Sequence, residues 1–189
     1  MARISLIANK THAGHMREIA GNRIAVRDDL GLVSVAIPQG GDAALAGTLQ
    51  HALGLDTPQV PETTSNGDVT AFRLAPDQIM ILAPDQDGTA HAKLDDLLGA
   101  VAYLTDQSDG SIIVEVQGPD VLAAMERLCP LDLGPSGLRP GHAARTVLEH
   151  IGTVVLRTDP DQFLLIAPGS SAASFLHAVE TSFEYVTGF

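Results

Sequence analysis

The sequence predicts an α+β fold, and three observations carry the prediction: a twelve-residue motif that recurs 84 positions later, an amphipathic helical pattern after each copy, and an apolar strand leading into a helix before each copy. Residues 73–84 and 157–168 share the pattern R-x-x-P-D-Q, four apolar residues, then A-P. Arg73 and Arg157 end one strand, Pro76-Asp77 and Pro160-Asp161 turn the chain, and Pro84 and Pro168 stop the second strand, because proline cannot donate to a sheet ladder. Each copy therefore reads as a hairpin.

The elements follow in chain order. Residues 1–21 are expected to form an N-terminal arm, with a single pseudo-symmetric domain over 22–189 whose halves are about 22–99 and 100–189. Leu32 to Ile37 is an apolar strand, and a helix begins at Asp42 with Leu45, Leu49, Ala52 and Leu53 on its inner face. Leu55 to Asp68, rich in Pro, Thr, Asn and Gly, reads as a polar loop. After the first hairpin Thr89 can cap a helix carrying Ala90, Leu94, Leu97 and Leu98 before Gly99. The second half repeats this order. Ile112 to Val116 is a strand, and Gly118-Pro119-Asp120 opens a helix with Val121, Leu122, Met125, Leu128 and Cys129 before Pro130 stops it. Leu133 to Gly141 is a loop, and Ser170 or Ser171 caps a last helix with Ala172, Phe175, Leu176, Val179 and Phe183 aligned. The chain thus reads as two copies of strand, strand, helix, strand, strand, helix, each able to bury a sheet face against its twin.

Composition narrows the partners. At 189 residues the chain can bury about 70% of its unfolded surface. With 45% hydrophobic and 18% charged residues it is not a disordered chain. Eleven basic against 23 acidic residues give a net charge of −12, and the only lysines are Lys10 and Lys93, so nucleic acid and anionic membrane are unsuited as partners. Met1 to Ala20 lacks the apolar stretch of a secretory signal and no run reaches a membrane span, so a cytoplasmic location is expected. Cys129 is the single cysteine, which excludes an internal disulfide and a Cys-type zinc site.

Catalytic patterns are weak. Neither G-x-G-x-x-G nor G-x-x-x-x-G-K-[ST] occurs, and Gly134-Pro135-Ser136-Gly137 is not a nucleophile elbow. His12 and His15 can share a helical face, but no third ligand stands near them. His51, His91, His142, His150 and His177 are scattered, and Asp95, Asp96, Asp106 and Asp109 read as solvated carboxylates. No catalytic, cofactor-binding or metal-binding residue is assigned, and a surface that completes a larger assembly is the expected role. Cys129, Pro130, Leu131, Asp132 and Leu133, which place apolar residues just past a helix stop, are the interface candidates, with ordinary core packing as the alternative.

A run of short motifs, Leu104-Thr105-Asp106-Gln107-Ser108-Asp109-Gly110, Gly118-Pro119-Asp120, Leu128-Cys129-Pro130-Leu131-Asp132-Leu133, Ala144-Arg145-Thr146, His150-Ile151-Gly152 and Arg157-Thr158 with Pro160-Asp161, resembles the gamma subunit of heterotetrameric sarcosine oxidase. Ser111 and Val155-Leu156 stand where that family usually has aromatic residues. The resemblance implies a fold like the folate-binding domain of the glycine-cleavage aminomethyltransferase. It also implies a complex that oxidises sarcosine to glycine, giving hydrogen peroxide and passing the one-carbon unit to tetrahydrofolate. FAD, FMN, NAD, zinc and tetrahydrofolate would then belong to the alpha, beta and delta subunits, with alpha as the main contact of this chain. Where active aminomethyltransferase-like domains carry carboxylates, this sequence has Thr153-Val154-Val155-Leu156, so the chain itself is expected to be non-catalytic. The equivalent subunit of a related N-methyl amino acid enzyme, such as N-methylglutamate dehydrogenase, and a free-standing folate-dependent aminomethyltransferase-like protein are the alternatives.

Overall fold

Two central strands, β3 (Leu30–Ala36) and β8 (Ser111–Gln117), organise the protein. Both are runs of apolar and β-branched residues, buried along nearly their whole length, as an inner strand requires. A computed structural model describes residues 12–188. The chain divides into a compact unit of residues 29–108 and a second unit made of the N-terminal segment to Asp28 together with the segment from Asp109 onward. These boundaries differ from the halves 22–99 and 100–189 that the repeat suggests.

The 29–108 unit holds a five-stranded antiparallel sheet in the order β4-β5-β6-β3-β7, where β4 is Thr63–Ser65, β5 Thr70–Ala75, β6 Gln78–Pro84 and β7 Tyr103–Asp106. Helices α1 (Asp42–Leu53) and α2 (Ala90–Leu98) contribute Leu45, Leu49, Leu94 and Leu98 to a core with Val33, Val35, Ile79 and Ile81 of the sheet. The other unit holds a six-stranded antiparallel sheet in the order β1-β2-β8-β11-β10-β9. Its further strands are β1 (Met16–Ile19), β2 (Asn22–Val26), β9 (His142–Leu148), β10 (Ile151–Asp159) and β11 (Gln162–Pro168). Helices α3 (Val121–Leu128) and α4 (Ala172–Thr187) pack on each other and bury Met125, Phe175, Val179 and Phe183 with Ile112, Val114 and Phe163. Each such side chain contributes about 1.5–3 kcal/mol on leaving water.

The duplication extends to register. β3 pairs β6 from Leu30↔Pro84 to Ala36↔Gln78, and β8 pairs β11 from Ser111↔Pro168 to Gln117↔Gln162. Both hairpins slip at the same place, between Arg73 and Ala75 and between Arg157 and Asp159. Loop hydrogen bonds recur as well: Ile37 N donates to Asp77 O at 2.8 Å as Gly118 N donates to Asp161 O at 3.1 Å, and Asp85 N to Asp29 O at 2.7 Å as Gly169 N to Gly110 O at 2.8 Å.

Each sheet takes in strands from the opposite half of the sequence, β7 in the five-stranded sheet and β1 with β2 in the six-stranded one. β7 pairs β3 from Val33↔Asp106 to Ala36↔Tyr103, and β2 pairs β8 in the same register, from Val26↔Val114 to Arg23↔Gln117. Within the expected arm, therefore, residues 16–19 form β1, which is held to the six-stranded sheet by β2; residues 1–11 lie outside the described residues.

Several local expectations change. The polar segment after Leu55 contains the short strand β4, paired to β5. Helix α3 starts one residue beyond Asp120, so Pro119 stands in the turn before it, and it ends at Leu128 because Pro130 holds Cys129 extended at φ −137°, ψ 152°. Thr89 is at the N-cap of α2, but its hydroxyl donates to Asp87 Oδ1 at 2.6 Å, and the Asp85 carboxylate accepts the Ala90 N–H at 2.8 Å instead. Ser171 is at the N-cap of α4 without a side-chain cap bond. Among the described residues no helix is long and apolar enough to cross a membrane.

Candidate functional site

The segment singled out in the sequence is anchored from within its own unit. Arg157, near the end of β10 and 8% exposed, donates from Nη1 to Leu133 O at 3.0 Å and Leu138 O at 2.9 Å, and from Nη2 to Pro160 O at 2.7 Å. Its guanidinium also lies 5.3 Å from the centre of the Phe163 ring. One buried cation thus gathers two carbonyls of the loop after α3 and one of the β10–β11 turn, none of which has a ladder to satisfy it. Gly137 makes the loop after α3 possible, since a Cβ there would stand 1.9 Å from Asp132 O. Cys129 and Leu133 are buried in the α3–α4 core, Leu131 is half-buried against it, and Pro130 and Asp132 are exposed. Burial pushes the Cys129 thiol pKa up, and the thiol donates to Met125 O at 3.5 Å.

The histidines separate. His12 and His15 do not share a helix: His15 N donates to His12 O at 3.0 Å in a turn that leads into β1. His15 Nε2 and Glu180 Oε1 lie 2.6 Å apart, and Arg17 donates to Glu180 at 3.0 Å and Glu184 at 2.5 Å, tying β1 to α4. These two carboxylates, Glu184 foremost, raise the Arg17 pKa above its ordinary value. His142 is buried in β9, while His51 and His91 are on α1 and α2 of the other unit. Among the described residues no group of three or more His, Cys, Asp or Glu is arranged to hold a metal ion. In β10, Thr153, Val155 and Leu156 are each no more than 1% exposed, and the Thr153 hydroxyl donates to Ile151 O at 2.9 Å, so this stretch packs as strand and presents no ionisable group.

Two polar features are not legible as such in the sequence. Glu115 is 5% exposed on β8 and accepts from Arg23 at 2.8 Å, Arg27 at 2.6 Å and Gln162 at 3.1 Å. Alternation puts it on the face of β8 opposite to the core residues Ile112, Val114 and Val116, and its partners lie far away in the sequence. Asn22, fully buried, exchanges hydrogen bonds with Asp120: Asn22 Nδ2 donates to Asp120 Oδ2 and Asp120 N to Asn22 Oδ1, both at 2.9 Å. That pair occupies the N-terminus of α3.

His150 and His177 border one groove. It is open, with a volume of about 510 Å³, and its walls are α4 and the Glu149-His150 turn between β9 and β10. Arg127, at the end of α3, lies over the Tyr185 ring at 5.1 Å from its centre, and both border the groove. The floor is apolar, with Ile151 and Ala178. No sequence pattern links Arg127, His150 and Tyr185, which reach one place only because α3 packs on α4.

Comparison with known proteins assigns the family. Residues 38–183 match the model of the sarcosine oxidase gamma subunit family. A sarcosine oxidase subunit gamma from Arthrobacter sp. is 30% identical over 80% of this chain and 70% of its own length, and that of Corynebacterium sp. (strain U-96) is 28% identical over 93% and 87%. A chain in the structure of heterotetrameric sarcosine oxidase from Corynebacterium sp. U-96, in complex with pyrrole 2-carboxylate, superposes with a TM-score of 0.77 at 21% identity over 95% of this chain and 92% of that one. Glycine cleavage system aminomethyltransferase T from Bartonella henselae shares the fold at a TM-score of 0.59 and 15% identity, covering 95% of this chain and 49% of that one. The fold expected from the resemblance is therefore the fold observed, and the chain belongs to the sarcosine oxidase gamma subunit family.

Proposed function

We propose that this chain works as the assembly subunit of a heterotetrameric sarcosine oxidase, which oxidatively demethylates sarcosine to glycine with release of hydrogen peroxide and transfer of the one-carbon unit to tetrahydrofolate. The observation that carries the reading is the family match over residues 38–183. Its non-catalytic character is supported by β10, where the position that would offer a carboxylate to a pterin is buried, apolar strand. Such a strand can neither accept a proton nor stabilise a developing charge. In this reading the alpha, beta and delta subunits carry FAD, FMN, NAD, zinc and tetrahydrofolate, and alpha is the main contact. The exposed Pro130 and Asp132 and the half-buried Leu131 are assigned to that contact, whereas Cys129 and Leu133 serve the core.

Co-expression with the alpha, beta and delta subunits tests the reading. A tag on this chain should retain a flavin-coloured complex that forms hydrogen peroxide from sarcosine, and omission of the chain should abolish assembly. A complex that assembles and turns over fully without it, or tetrahydrofolate-dependent turnover by the isolated chain, would overturn the proposal.

A further inference from the structure

We propose that the groove between α4 and the β9–β10 turn seats an acidic segment of a partner subunit, its carboxylate beside Arg127 and an apolar side chain on the Ile151–Ala178 floor. The inference rests on the assembly reading above and adds where the partner is gripped and by what chemistry.

Charge supports it first. The chain carries 23 acidic against 11 basic residues, yet this groove sets the Arg127 guanidinium and the rings of His150 and His177, all able to donate to a carboxylate, against a single acidic residue, Glu149. Screening reduces the pull of distant charges beyond about 8 Å at physiological salt, so these local groups, not the net charge of −12, decide what binds there. Side-chain type supports it independently. The large fully buried side chains include Phe72, Phe163, Phe175 and Phe183, whereas Tyr103 and Tyr185 are 72% and 70% exposed. Tyrosine and arginine are the residues most often found as energetic anchors of interfaces, and here Tyr185 and Arg127 are stacked at the rim of one groove.

The walls are also held in place before binding. Ser174, Ala178, Thr181 and Tyr185 recur at helical spacing along α4, so one wall is a rigid stripe of an amphipathic helix. The opposite wall is fixed where Glu149 N donates to Leu128 O at 3.1 Å, from a backbone in the left-handed region at φ +51°. A volume of about 510 Å³ lies within the range of ordinary binding pockets and admits a few side chains, which suits a short segment.

The test uses the co-expressed complex and compares Arg127→Glu, Tyr185→Ala and Glu149→Gln, with Tyr103→Ala as an exposed control in the other unit. Arg127→Glu and Tyr185→Ala should each weaken association about 30-fold, as expected for interface anchors. Glu149→Gln should strengthen it several-fold, because a like charge is removed, and Tyr103→Ala should leave it unchanged. Hydrogen exchange on the wild-type complex needs no variant, and protection at 149–151 and 174–185 relative to the free chain is the expected result. Wild-type assembly with neither protection nor any response to the three variants overturns the groove while leaving the assembly reading intact. Failure of the wild-type chain to join the oxidase subunits overturns both. Protection that arises from self-association of the free chain, or from glutamate alone as a small-molecule probe, shows a second copy or a free carboxylate as the occupant and equally overturns the partner segment.

Discussion

Arg73 and Arg157 occupy equivalent places at the slip of the two repeated hairpins, and their Nε atoms are both buried without a hydrogen-bond partner among the described residues. Their other nitrogens meet different surroundings. Among the described residues Arg73 reaches only the Asp42 carboxylate, at 3.2 Å, whose side chain is 69% exposed, and such pairs contribute at most about 1 kcal/mol. Arg157 satisfies three carbonyls instead. Replacing it strands them, at about 1–3 kcal/mol for each that water cannot reach. Arg157→Met should therefore lower unfolding stability by about 3 kcal/mol in urea titration and Arg73→Met by less than about 1 kcal/mol; equal losses would refute the distinction. Cys129 gives a pH prediction. Burial raises its native pKa above the ordinary 9.0, so the folded state holds the thiol proton while the unfolded state releases it. Its stabilisation is complete below about pH 9 and is lost as pH rises from there through the native value. Stability measured against pH should fall above about pH 9 more steeply for the wild type than for Cys129→Ala, and iodoacetamide should label the native thiol slowly. Parallel stability curves would contradict the assignment.

At the start of α3 the chain depends on a close approach between elements. Gly118 has φ +137°, and a Cβ there would lie 2.5 Å from Asn22 Oδ1 and 2.7 Å from the Asn22 backbone. Gly118→Ala is therefore expected to cost about 3 kcal/mol or more by thermal or urea unfolding. Asn22→Ala should not rescue it, because the clash with the backbone of residue 22 persists and the two bonds to Asp120 are lost. A Gly118→Ala protein as stable as the wild type would disprove the close approach. The same elements show what a sequence reveals. The hairpins at 73–84 and 157–168 are legible because proline, turn chemistry and an apolar run agree, and the helices α1 to α4 because their buried residues fall at helical spacing. β1, β4, β7 and β9 are not marked out as strands, since they are edge strands, short or interrupted by polar and exposed residues such as Arg17, Thr64, Asp106 and Arg145. The cap of α2 is hidden because the oxygen that serves it belongs to Asp85, five residues before the bond it accepts.

Over the whole molecule, the duplication is legible as a repeat but its strand exchange is not. Sequence shows that two segments are alike; it does not show which copy of a sheet a leading strand joins, because β2 suits the edge of either β3 or β8 equally in pattern. The groove is hidden for a related reason, since its residues come from α3, the β9–β10 turn and α4 and converge only through packing. The exchange has an energetic consequence. If residues 1–26 were a loosely attached arm, removing them would change stability little. Here they include β1 and β2, with Ile19, Ile24 and Val26 each no more than 5% exposed in the α3–α4 core and Arg23 paired to Glu115. Burial of those three side chains alone is worth roughly 5 kcal/mol or more, against a total of about 5–15 kcal/mol for an ordinary domain. The truncation also turns β8 into an exposed edge and withdraws one of the cations around a buried carboxylate. A chain beginning at Arg27 should thus lose cooperative folding of the 109–188 portion, read as loss of hydrogen-exchange protection in β8 and β11. Retained protection there would mean that the six-stranded sheet does not depend on the two strands lent from the other half of the sequence.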